Sequence, residues 1–108
     1  VDNSEENRMK KYTEYTDEEL VELLRQGDTE VMDYLLEKYK FVVRQKARVL
    51  YLAGGEADDL IQEGMIGLFK AIRDYRGDKE ASFYTFAQLC VDRQMYNAIQ
   101  SSGRNISH

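Results

Sequence analysis

The chain has 108 residues, 20 acidic and 15 basic side chains, a formal net charge of −5 and 43% hydrophobic residues. This length fits one small domain or a piece of a larger protein, and a single Cys excludes an intrachain disulfide scaffold. No apolar run approaches the roughly 20 residues that span a bilayer, no signal peptide opens the chain, a cytoplasmic location is expected, and the overall acidity speaks against nucleic acid, whose binders are usually basic.

Residues 1–15 are polar and without helical period, and read as a flexible lead-in. Thr16-Asp17-Glu18-Glu19 is a capping box: the Thr hydroxyl and the Glu three residues on satisfy free amides reciprocally, and the acids suit the positive end of a helix. The first helix stops at Gly27. Asp28 is the expected N-cap of a long second helix. Along it Val31, Met32, Leu35, Leu36, Tyr39, Val42, Val43, Ala47 and Leu50 recur at helical spacing up to about Ala53. Charge is polarised here: residues 12–37 carry a net −8, whereas residues 38–48 hold Lys38, Lys40, Arg44, Lys46 and Arg48 and no acid. A third helix covers about 57–75, and Ser82 caps a fourth from Phe83 to about Ser101. With no Pro and few β-branched residues, the expectation is all-α, an irregular bundle of about four helices over residues 16–102. Residues 103–108 read as the start of a linker.

At 100° per residue, Ile61, Gly64, Leu68, Ile72 and Tyr75 make the core stripe of the third helix, with Leu60 and Ala71 at one flank. The opposite arc holds Asp59, Gln62, Ile66, Phe69, Lys70 and Arg73, with Glu63 and Met65 at its margins. Ile66 and Phe69 amid polar residues describe a docking surface with an apolar centre and a polar rim. The alternative is that another helix of the domain covers them. Gly64 and Gly67 each cost about 1 kcal/mol against Ala in a helix, which suggests close approach by another backbone. Asp58, Asp59 and Glu63 lack a matching carboxylate or His pair, so no metal and no other cofactor is expected. On the fourth helix Phe83, Ala87, Val91 and Ala98 face inward, with Cys90 and Gln94 beside them. Phe86, Leu89, Arg93, Tyr96, Asn97 and Gln100 share the outer stripe. Rings that stack and Arg or amide groups that hydrogen-bond suit unpaired bases; they equally suit a protein partner.

The run Asp59-Leu-Ile-Gln-Glu-Gly-Met-Ile-Gly-Leu-Phe-Lys-Ala-Ile72 resembles the DLIQEGNIGLMKAV signature of bacterial RNA polymerase sigma factors. Phe83-Tyr-Thr-Phe-Ala87 is similar to the family's FSTYA-like segment. The resemblance covers about residues 16–108, the family's region 2 with its lead-in. The run of Ser82, Phe83, Phe86, Ala87, Leu89, Cys90 and Arg93-Gln94 looks like the sigma-H, sporulation-type alternative group. The resemblance implies a promoter-recognition subunit fragment that binds core polymerase and melts or captures the −10 promoter element. By position, Asp59, Gln62, Glu63, Met65, Ile66 and Phe69 should meet the clamp helices of the largest polymerase subunit. Phe83, Thr85, Phe86, Leu89, Arg93, Tyr96 and Asn97 should take the non-template single strand. Lys79 and the basic run Lys38 to Arg48 are assigned to phosphates from charge. An anti-sigma factor is a further partner of this family, a membrane is not, and the family's −35-reading helix-turn-helix domain would follow the linker.

There are departures from the family pattern. Leu89 and Cys90 stand where primary sigma factors carry a Trp pair, so unaided melting should be weaker. Asp92 and Asn97 stand where those factors place Arg, which implies fewer phosphate contacts and a shallower salt dependence. Arg93 replaces a base-reading Gln and implies a different −10 preference. No Ser-His-Asp or Cys-His constellation is present and His108 is terminal, so no catalysis is expected. The rival reading is a helical protein-interaction adaptor without nucleic-acid binding; a metal-dependent hydrolase is a more remote one.

Overall fold

Thr16 opens the first helix as its chemistry dictates. Its Oγ1 accepts from the Glu19 amide at 3.1 Å, and Glu19 Oε1 accepts from the Thr16 amide at 2.8 Å. In the computed structural model, which describes residues 11–52, 57–77 and 81–101, this helix is α1, Asp17–Arg25. Gly27 ends the turn after it at φ +117°, a left-handed backbone that Gly adopts without a Cβ penalty. Then follow α2 (Glu30–Lys38), α3 (Lys40–Leu52), α4 (Ala57–Asp74) and α5 (Phe83–Ser101). Among the described residues there are five helices and no strand.

The all-α expectation stands, while the helix count differs because the long second helix is broken. The break falls at Tyr39, whose backbone leaves helical geometry at φ −102°, ψ 9°. Its ring is turned into the core, 6% exposed, within 5.6 Å of the Phe83 ring, and its hydroxyl donates to Asp17. Helical spacing continues through the break, so periodicity alone does not mark it. A second difference is Asp28. Thr29, not Asp28, stands at the N-cap of α2 and makes no side-chain cap bond. The Asp28 carboxylate instead accepts from the Tyr12 hydroxyl at 2.7 Å. Tyr12, within the expected lead-in, is 4% exposed and belongs to the core.

The core runs through every helix: Leu20 and Val21, Val31 and Leu35, Val42 and Val43, Leu68 and Ile72, and Phe83, Val91 and Met95. No polar or charged residue is buried among the described residues. Helix α4 lies centrally and packs most extensively on α5, then on α3. Gly67 permits that approach. A Cβ there would lie 2.8 Å from the Cys90 carbonyl oxygen and 3.0 Å from Val91 Cα, so the contact is with backbone. At Gly64 a Cβ would collide with Met95 Cε and lie 2.7 Å from Val43 Cγ1, so side chains fill that notch.

Candidate functional site

Helix α4 buries one face and offers the other. Leu60, Gly64, Leu68, Ala71 and Ile72 are buried, and Ile61 and Met65 are half-buried against the core. Asp59 and Gln62 are exposed, and no described helix covers Ile66 or Phe69, which remain 44% and 42% exposed. The alternative that a neighbouring helix hides this pair therefore fails among the described residues. Glu63 is less free than its wheel position suggests. Its Oε1 accepts from Gln94 Nε2 at 2.8 Å, and Gln94 Oε1 accepts from Lys70 Nζ at 3.1 Å. One amide thus ties the rim of α4 to α5.

Ser82 stands just before helix α5, and its Oγ accepts from the Thr85 amide at 3.2 Å. Phe83, which the resemblance assigns to the strand, is 0% exposed, its ring between Tyr39 and Tyr75 with centroids 5.6 and 5.5 Å away. The helical wheel places Phe83 inward, in agreement with the structure. Phe86 is half-buried, 5.6 Å from the Tyr75 ring. Thr85, Leu89, Arg93, Tyr96 and Asn97 are exposed on the outer side, as is Gln100. Ala98 is half-buried rather than central, and Met95 and Ile99 complete the inner stripe in its place. Cys90 is half-buried; burial pushes its thiol above the ordinary value, with Arg93 pulling the other way.

The basic run does not form one face. Lys38 Nζ pairs with Asp17 at 2.7 Å and lies 5.4 Å from the Tyr39 ring centroid. Lys46 turns to α5 and pairs with Asp92 at 3.1 Å. Lys40, Arg44 and Arg48 carry no ion pair among the described residues. Arg44 and Arg48 flank a groove of about 240 Å³ floored by Ala47 and Ile61 and edged by Tyr51, on the α4 side of α3. Lys79 lies outside the described residues. Three exposed rings carry no assignment from the sequence: Tyr51, 54% exposed, Tyr84, 39% exposed, and Phe41, 47% exposed, the last two at 5.7 and 6.2 Å from the Tyr39 ring. The signal for Tyr84 is its place one residue after an inward Phe. No group of three His, Cys, Asp or Glu that could hold a metal occurs among the described residues, and no described helix is long and apolar enough to cross a membrane.

Residues 35–105 match the family described as Sigma-70 region 2. The chain is 46% identical over 94 residues to the RNA polymerase sigma-H factor of Bacillus licheniformis, covering 87% of this chain and 42% of that protein. It is 45% identical over 93 residues to the RNA polymerase sigma-H factor of Bacillus subtilis (strain 168), covering 86% and 43%. It is also 29% identical over 89 residues to the ECF RNA polymerase sigma-E factor of Escherichia coli (strain K12), covering 82% and 45%. The chain thus spans less than half the length of these curated relatives.

Proposed function

This chain belongs to the Sigma-70 family through its region 2, and from that premise we propose that it docks on core RNA polymerase with α4 and captures the single-stranded −10 element with α5. The observation that carries the reading is the pair of exposed mixed faces on adjacent helices. Ile66 and Phe69 form an uncovered apolar centre on α4, rimmed by Asp59, Gln62 and Glu63. Leu89, Arg93, Tyr96 and Asn97 line the neighbouring helix.

The first face is chemically suited to a protein. Burial of two large apolar side chains supplies affinity, and the carboxylates and amide of the rim fix register. In this reading its partner is the pair of clamp helices in the largest polymerase subunit. The second face is chemically suited to unstacked bases. Tyr96 supplies a stacking ring, Leu89 an apolar contact, and Arg93 and Asn97 the hydrogen-bonding groups that read base edges. Flipping a base out of the stack costs a few kcal/mol, which stacking and hydrogen bonds at this face offset. Arg44, Arg48 and Lys40 are the basic-run cations left to meet phosphates, whereas Lys38 and Lys46 are engaged by Asp17 and Asp92. The fragment in this role performs no chemistry; it selects and holds a strand for the polymerase. Similarity to the two sigma-H factors supports placing it in that alternative group.

The test mixes the protein with core polymerase and a labelled single-stranded −10 oligonucleotide. Formation of a ternary complex is the expected result. Binding to neither core nor strand would sink the reading. Core binding with no strand capture would leave the adaptor reading in its place.

A further inference from the structure

Helix α1 touches both stems of the connection between α4 and α5. Near its N-terminus, Glu18 Oε2 accepts from the Phe83 amide, the first of α5, at 2.8 Å. At its C-terminus, Arg25 Nη2 donates to the carbonyl oxygens of Arg73, at 3.2 Å, and of Tyr75, at the end of α4. Arg25 lies seven positions after Glu18. Two turns of α-helix bring such a pair back to nearly the same face, about 10 Å apart along the axis. The charges are also matched to the ends they meet. The carboxylate faces the positive end of α5 and the guanidinium the negative end of α4, where free amides and carbonyls need partners. Within the connection, the Tyr75 hydroxyl donates to the Ala81 carbonyl at 2.9 Å, so the two stems are tied to each other as well.

Glu18 and Arg25 are both exposed, and α1 is anchored by Leu20 and Val21, at 0% and 1% exposure. The two side chains meet the backbone where α4 ends and α5 begins. Thr85, Phe86 and Leu89 occupy the first turns beyond that point.

We propose that Glu18 and Arg25 are positioning residues for strand capture, with α1 acting as a two-pointed strap that presets the start of the base-binding helix. The proposal rests on the functional reading above. A strand that meets a preset surface does not have to order it on binding, and affinity rises by that saving.

The test uses the complex with core polymerase and the labelled −10 single strand, comparing wild type with Glu18→Ala, Glu18→Gln and Arg25→Ala. Core affinity is titrated separately, and amide exchange is followed across residues 75–85. Each Ala variant should lose roughly three- to tenfold in strand affinity, the scale of one hydrogen bond's net contribution. Core affinity should stay within about twofold of wild type on that same scale, since no docking residue is touched. Amide exchange over the connection should rise in the Ala variants. Glu18→Gln keeps an acceptor for the Phe83 amide and should restore capture. Unchanged capture in both Ala variants, a parallel loss of core affinity, or failure of Gln to rescue would overturn the positioning role alone. A wild-type complex that binds core and captures no strand would overturn the functional reading, and this role with it.

Discussion

A methyl group added at Gly67 has nowhere to go. It would press on the Cys90 carbonyl oxygen and Val91 Cα of a neighbouring helix, neither of which can rotate away. Gly67→Ala should therefore destabilise the domain by about 1–3 kcal/mol, the usual cost of overpacking, despite the better helix propensity of Ala. A urea titration of the two proteins checks this; equal midpoints would show that α4 and α5 part easily. Phe69 poses the opposite case. Its ring is 42% exposed, so Phe69→Ala should leave the unfolding midpoint almost unchanged. The same change should weaken core-polymerase binding by more than about 1 kcal/mol, roughly fivefold or more, as expected for a central aromatic anchor. Wild-type affinity would remove Phe69 from the interface.

At the scale of the element, Tyr39 shows how one side chain divides a helix. Burial, reinforced by the hydrogen bond to Asp17 and its negative charge, raises the phenol well above its ordinary value of 10.0. A group whose folded-state pKa is raised contributes fully below the unfolded pKa and loses that contribution as pH climbs toward the folded one. Stability should thus decline from about pH 10 upward as the unfolded phenol begins to ionise. In Tyr39→Phe the alkaline decline should be shallower, measurable from urea midpoints between neutral pH and the alkaline limb. An identical alkaline decline would show that other groups govern it.

The same element shows what is legible in sequence. Helices with a local chemical signal are readable: Thr16 and Glu19 announce α1, and Ser82 announces α5. The break between α2 and α3 is not, because Leu35, Tyr39, Val42 and Val43 keep helical spacing across it, and the cause is a tertiary cage around one ring. The exposed face of α4 follows from its apolar residues out of phase with the core stripe. Phe83 does not follow from its motif, since the position is set by packing between Tyr39 and Tyr75. The fate of the basic run was likewise hidden. Residue type gives Lys38 and Lys46 a charge, but only their neighbours Asp17 and Asp92 decide that the charge is spent within the domain.

Over the whole molecule the net charge of −5 first argues against DNA, yet its distribution reverses the argument. The acid is concentrated in residues 12–37, mostly on α1 and α2, and residues 38–48 are wholly basic among their charged positions. Some of those acids hold the structure: Asp17 takes Lys38 and Tyr39, and Asp28 takes Tyr12. Glu22, Asp33 and Glu37 are exposed and available to act through their field. On the proposed function, such a negative surface would repel random duplex and leave strand binding to depend on the polymerase. Replacing Glu22, Asp33 and Glu37 by their amides should raise nonspecific duplex affinity at low salt, with the gain fading as salt screens it. No change in a salt titration would count against this role for the acidic half.

The central claim is a division of labour between two adjacent helix faces, α4 for the polymerase and α5 for the strand. It is tested most directly by titrating core polymerase and, separately, the labelled −10 single strand against complexes carrying Phe69→Ala or Tyr96→Ala. Phe69→Ala should weaken core binding alone. Tyr96→Ala should weaken strand capture by about 1–3 kcal/mol, the worth of one stacked base, with core affinity unchanged. Loss of both activities in both variants, or of neither in either, would contradict it.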